Sequence, residues 1–234
     1  KAIYIPYPQA VPLAACIDPK ACIGCARCAE ACPADAVRLE QEPQDFKLNV
    51  GAIIVATGWQ PFDAARKEEY GFGRYKDVVT TLQVERMLNA SGPTKGEVVR
   101  PSTGEIAGSI AFLQCVGSRD ETVGNPYCSR ICCMASLKNA QLVKEKYPDT
   151  DITIYYIDIR ACGEGYEEFY IRAQKLGINF VRSRISSIEE VEGQISLIFE
   201  DTQTGDIRRA KHDLAVLSVG LEPDSNAEVL GNLL

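Results

Sequence analysis

Apolar runs closed by glycine or proline alternate along the chain with stretches of helical period, and this alternation predicts an α/β fold. Residues 109–115 form an apolar run ending in Gln114 and Cys115, read as a short buried strand. A helix starts at Cys132, with good formers at Leu137, Ala140 and Leu142. Residues 151–158 read as the next strand, 166–176 as a helix ended by Gly177, and 178–182 as a further strand. Residues 195–199 and 206–210 suggest an antiparallel pair turning at Thr204 and Gly205. Residues 81–88 read as a short helix with Thr80 or Thr81 as its cap. Two segments echo one another. The β-branched run 50–55, predicted as a buried strand, ends in Ala56, Thr57, Gly58 and then Pro61, and the run 214–219 ends in Gly220 and then Pro223.

The junction between the strand at 109–115 and the helix at 132 is where a doubly wound nucleotide-binding unit carries its glycine-rich phosphate loop. Residues 114–133 contain only Gly117 and Gly124, and instead bring Cys115, Cys128, Cys132 and Cys133 together at C-x12-C-x3-C-C spacing. This is a turn rebuilt to hold a metal. A cluster carried by four thiolates is anionic, and a helix start offers free N–H groups and the positive end of the dipole. Adjacent cysteines on a helix point roughly 100° apart, so Cys132 and Cys133 share one cluster only if it sits at the helix end. The plainer reading, buried apolar thiols, sits poorly with four cysteines in nineteen residues.

A second group precedes it. Cys22, Cys25, Cys28 and Cys32, followed by Pro33, form the C-x2-C-x2-C-x3-C-P run of bacterial ferredoxins. Zinc sites usually pair two C-x2-C hooks across a longer gap, so the run favours a 4Fe-4S cluster. In two-cluster ferredoxins the fourth cysteine ligates the other cluster, and the complementary run is missing. Either Cys16 or Cys32 closes a lone cluster, or the matching half precedes Lys1. The opening residues read like the middle of a domain, which points to a chain excerpted from a longer protein. Cys16 is expected to be a packing residue.

Composition narrows the function. The 234 residues, 46% hydrophobic, suffice for one large or two small domains. The formal charge of −7 argues against a nucleic-acid or anionic-membrane surface. No apolar run approaches membrane-spanning length and no signal-peptide pattern is present, so a cytoplasmic chain without membrane insertion is expected. Ten cysteines in two clumps at ligand spacing suit metal binding in a reducing compartment. The single histidine, His212, lies between Lys211 and Asp213 and is expected to be solvated, leaving almost no material for histidine-based catalysis.

Over essentially its whole length the chain resembles the A subunit of heterodisulfide reductase and its relatives, which include flavoprotein subunits of quinone-interacting oxidoreductase complexes. The matching blocks are residues 1–12, 50–58, 85–88 with 91–93, 114–120, 127–134, 158–160, 165–170 and 217–221. The resemblance implies a Rossmann-like, thioredoxin-reductase-like fold with an inserted ferredoxin-like α+β segment. It divides the chain into a partial ferredoxin-like segment (1–48), an FAD-domain segment (49–107), a degenerate NAD-type domain carrying a cluster (108–220) and a return to the FAD domain (221–234). It further implies that Cys115, Cys128, Cys132 and Cys133 ligate a cluster, with Lys138 near the reactive edge of the flavin and Glu85 its acidic counterpart. Thr57, Gly58 and Gly220, at the two crossing points, are the expected flavin contacts along with Lys138. The family's opening glycine loop is absent here, so the FAD site is incomplete. Cys162 stands where an aromatic residue is expected and is read as tolerated.

Three functions compete. The first is an iron-sulfur flavoprotein subunit passing electrons between FAD and 4Fe-4S clusters within a heterodisulfide reductase-like or quinone-interacting complex of several subunits. Division of electron pairs between two acceptors would depend on flavin potentials, which no motif reports. The second, an NAD(P)H-dependent disulfide reductase, lacks both the glycine loop and a redox C-x-x-C outside the ferredoxin run. The third is a zinc-stapled interaction module, which would be colourless.

Overall fold

The chain divides into two units, Lys1–Val55 and Ala56–Leu234. A computed structural model describes every residue except Pro8, Gln41, Pro43, Gln44 and Gln203. In the first unit β1 (Ile3–Tyr4) pairs antiparallel with β2 (Cys16–Ile17), and α1 (Arg27–Glu30) spans four residues of the ferredoxin-type run. Cys16 is exposed rather than packed, contrary to expectation, because among the described residues β2 pairs with β1 alone. The expected strand at residues 50–55 does not form. Ile54 is 91% exposed, and no described strand pairs with this run. A lone β-branched segment has no neighbour to take up its backbone N–H and C=O groups, so its propensity is not realised.

The second unit contains β3 (Trp59–Pro61), β4 (Val78–Thr80), α2 (Thr81–Leu88), β5 (Ser109–Val116) and α3 (Cys132–Lys146). It continues with β6 (Asp151–Tyr156), α4 (Tyr166–Lys175), β7 (Asn179–Arg182), β8 (Ile185–Val191), β9 (Gln194–Glu200), β10 (Ile207–His212), β11 (Leu214–Val219), β12 (Leu221–Pro223) and α5 (Ala227–Leu233). Five strands make a parallel sheet in the order β4-β11-β5-β6-β7, with Phe112 in register with Val216 on one side and Ile154 on the other. Parallel sheets are covered on both faces, and this one is. One face packs Ile110, Phe112 and Ile154 against Val84 of α2 and Leu137, Ala140 and Val143 of α3. The other packs Leu113, Ala215 and Leu217 against Ile188, Leu197 and Phe199 of the antiparallel sheet β10-β9-β8. β8 was not legible in advance, since only three of its seven residues are apolar.

Thr80 caps α2, accepting from the Gln83 N–H while the Gln83 side chain accepts from its own N–H, a capping box. Residues 56–107 therefore supply an edge strand and a helix to the same unit as the central sheet. The two echoed segments are physically joined. β3 and β12, which follow Gly58 and Gly220, pair antiparallel with Pro61 opposite Leu221 and Trp59 opposite Pro223. His212 is corrected from solvated to buried, at 4% exposure. It ends β10 facing inward, with its Nε2 3.0 Å from the Tyr155 hydroxyl, and burial lowers its pKa. Its charged sequence neighbours are misleading because alternate residues of a strand face opposite ways.

Candidate iron-sulfur centre

β5 delivers Cys115 to the carboxyl end of the parallel sheet, the edge where doubly wound folds hold ligands. Cys115 takes φ 62°, left-handed backbone that L-residues seldom adopt, and such outliers gather at functional sites. Gly117 follows at φ 67°, where a Cβ would fall 2.1 Å from the Phe62 ring. The loop is then pinned by its own polar groups. The Ser118 hydroxyl donates to the Tyr127 carbonyl at 3.0 Å, the Ser129 N–H donates to Ser118 Oγ at 3.0 Å, and Asp120 and Asn125 exchange backbone hydrogen bonds at 2.8 and 3.0 Å. Tyr127 and Ser129 also bond the backbone of Leu221, fastening the loop to the start of β12. Gly220 lies against this knot: a Cβ there would meet Ser129 Oγ at 2.8 Å.

Cys128 therefore sits on a braced loop, with the Arg130 N–H directed at its sulfur at 3.3 Å. Cys132 and Cys133 are the first two residues of α3, whose N-cap, Ile131, supplies no side-chain cap. The helix start keeps its amides for another acceptor. Cys132 Sγ lies 3.6 Å from the Val219 carbonyl at the end of β11, and Cys133 Sγ lies 3.8 Å from the Asp158 carbonyl after β6. Three strand ends thus meet one helix end. Cys115, Cys132 and Cys133 are buried, and Cys128 is half-buried.

The four sulfurs feel one another. Burial first, then the neighbouring thiols, pushes the Cys115 pKa up to about 11 and that of Cys132 to about 12; burial likewise raises Cys133. Four thiolates cannot gather here without positive charge among them. Among the described residues no group of three or more His, Cys, Asp or Glu is already closed around a metal ion. The side-chain amide of Gln114, buried beside Cys115 in sequence, has neither its donor nor its acceptor satisfied among the described residues. Soft thiolate donors at an uncapped helix start suit a 4Fe-4S cluster.

The ferredoxin-type run is built differently. Cys22, Cys28 and Cys32 are half-buried and Cys25 is exposed. Gly24 and Ala26 adopt left-handed φ of 71° and 56°, curling the chain between the cysteines. The Ala36 N–H donates to Cys32 Sγ at 3.4 Å, and the amides of Ala36 and then Ala34 hold the Cys32 thiol below its usual range. Backbone N–H bonds to a thiolate favour its charged, ligating form and tune the potential of a cluster bound there.

The expected flavin residues divide. Lys138 on α3 and Glu85 on α2 form an ion pair at 2.8 Å, an arrangement that spacing alone did not disclose. Thr57 and Gly58 are exposed, with nothing within 4 Å of a Cβ built on Gly58, and Gly220 is packed against the cysteine loop. Sequence reasoning also missed Arg119, Asp158 and Arg160, which form an ion network beside the cysteines. Their signal was an Asp-x-Arg step at the end of a predicted strand.

The 4Fe-4S dicluster domain family matches residues 14–65. The A subunit of the ferredoxin/F420H2-dependent CoB-CoM heterodisulfide reductase from Methanosarcina acetivorans is 57% identical over 235 residues, covering 100% of this chain and 30% of the relative. The chain belongs to the family of heterodisulfide reductase A subunits. A second member, the A subunit of the H2:CoB-CoM heterodisulfide,ferredoxin reductase from Methanothermobacter marburgensis, is 53% identical over 98% of the chain and 35% of its own length. The chain thus spans about a third of the heterodisulfide reductase A subunits it matches. Among solved structures, thioredoxin reductase from T. acidophilum aligns with TM-score 0.40 and 13% identity over 72% of this chain and 44% of that one. No helix among the described residues of this family member is long and apolar enough to cross a membrane.

Proposed function

We propose that this chain is the electron-carrying segment of a heterodisulfide reductase-type iron-sulfur flavoprotein, an oxidoreductase subunit that works with other subunits of a redox complex. The observation that carries this reading is the meeting of Cys115, Cys128, Cys132 and Cys133 at the sheet edge where a dinucleotide fold would hold its phosphates. A 4Fe-4S cluster held there supplies one-electron chemistry, and Cys22, Cys25, Cys28 and Cys32 would hold or share a second cluster of the ferredoxin type. The chain's own residues do three things. The braced loop fixes Cys128, the start of α3 leaves amides without a side-chain cap beside Cys132 and Cys133, and the surrounding core keeps water from Cys115, Cys132 and Cys133. Lys138, held by Glu85, places a cation on the same helix about 7.5 Å beyond Cys133, suited to steady a reduced flavin supplied by the rest of the subunit. Ten free thiols suit a reducing cytoplasm.

The test is an anaerobic visible spectrum, with iron, zinc and flavin assays, of the full-length subunit once purified. Broad absorption near 400 nm that bleaches with dithionite, with about four irons per occupied site, is the expected result. A colourless protein carrying stoichiometric zinc would overturn the electron-transfer reading.

A further inference from the structure

Beside the four cysteines lies a compact charge network. Asp158 Oδ1 accepts from Arg119 at 2.8 Å and from Arg160 at 3.2 Å, so one carboxylate holds two guanidinium groups. The network touches the cysteine site through backbone as well as charge: Cys133 Sγ lies 3.8 Å from the Asp158 carbonyl, and the Arg160 N–H faces the Cys133 sulfur. The Arg160 guanidinium lies within electrostatic range of Cys128 and Cys115, and that of Arg119 within range of Cys115. Asp158 and Arg160 follow β6, whose end is where a dinucleotide fold places the acidic residue that binds a ribose hydroxyl. Here that acidic side chain is occupied by two arginines.

We propose that Arg160 and Asp158 set the reduction potential of the cluster held by Cys115, Cys128, Cys132 and Cys133, Arg160 as a positioning residue that favours the reduced form and Asp158 as its opposing brake. This rests on the cluster reading above. When the cluster takes up one electron its negative charge grows by one unit, and a nearby cation stabilises that state while a nearby anion opposes it. The balance is exposed to tuning because Arg160 and Asp158 keep 43% and 45% side-chain exposure.

The experiment is an EPR-monitored redox titration, with dithionite as the electron source, on the full-length subunit loaded with iron. Arg160→Gln is expected to lower the midpoint, giving about a tenfold smaller ratio of reduced to oxidised cluster at fixed potential, a fall of about 59 mV for one electron. Asp158→Asn is expected to raise it, and Arg160→Lys to stay near the parent value. Shifts of opposite sign for the two neutral variants, at unchanged iron content, support the assignment. Equal midpoints in all variants, or shifts of one sign accompanied by iron loss, would overturn it and leave the network a structural brace. Failure of the cluster reading itself has a separate signature, full iron content and an unchanged EPR spectrum in Cys132→Ser.

Discussion

The two cysteine groups solve one chemical problem by opposite means. Cys22, Cys25, Cys28 and Cys32 lie within eleven residues, and their turn is shaped by left-handed residues and by amides only a few positions away. Cys115, Cys128, Cys132 and Cys133 are drawn from a strand, a loop and a helix, and the groups that hold them include Val219, Leu221 and Asp158, far along the chain. The first arrangement needs little beyond its own segment. The second exists only once the parallel sheet, α3 and β12 have been assembled. A local site is therefore read from spacing, while a distributed site inherits the stability of the domain around it.

The sharpest way to break this contrast is to remove one ligand from each group. Cys132→Ser is expected to lose about four irons per chain and leave the ferredoxin-type absorption intact, whereas Cys25→Ser does the reverse; iron assay and EPR distinguish them, and equal loss of both in either variant would mean the sites are not independent. Next in size is the loop brace. Asp120 is 4% exposed and paired with Lys67 at 3.0 Å and Arg184 at 2.6 Å. Asp120→Asn removes the carboxylate shared by Lys67, which keeps Glu69 at 2.6 Å, and Arg184, whose side chain is 43% exposed, and a loss of about 1–3 kcal/mol is expected in urea unfolding of the iron-free chain.

The same carboxylate sets an acid limit. Burial would push the Asp120 pKa up, but the Thr122 and Lys67 hydrogen bonds and the Arg184 charge outweigh it and hold the group at about 2, against 3.8 ordinarily. A depressed carboxylate pKa contributes stability above the unfolded value and loses it on acidification, so about 2 kcal/mol should disappear between about pH 4 and pH 2. Chemical unfolding at stepped pH measures this, and the step should vanish in Asp120→Asn. Smallest of all is the exposed Lys138–Glu85 pair, with side chains 42% and 50% accessible. Glu85→Gln is expected to change stability by less than about 1 kcal/mol and to leave iron content untouched at both sites; a larger loss would mean that the pair braces α2 against α3.

Much of the second unit was legible. Runs at 109–115, 151–158 and 214–219 became β5, β6 and β11, because strands buried on both faces read as continuous apolar segments, and the run at 178–182 became the half-exposed edge strand β7. The helix after Cys132, the cap at Thr80 and the turn near Gly205 also followed from local chemistry. Three residue-level expectations failed for one reason. Residues 50–55 have strand propensity without a partner, Cys16 has an apolar side chain without a core, and His212 has charged neighbours but an inward register. Each depends on what lies opposite in space.

Residue types and spacing alone were enough for the ferredoxin-type turn, the metal-rich junction and the α/β order of the second unit, since helix periods, turn residues and C-x2-C hooks act over a few residues. Only the assembled structure could pair Lys138 with Glu85, join β3 to β12, and set Arg119, Asp158 and Arg160 beside the cysteines. Those contacts link segments from 25 to more than a hundred residues apart, as with Cys133 and Asp158 at one extreme and β3 and β12 at the other, and no local pattern encodes which distant side chain will be waiting when the sheet closes.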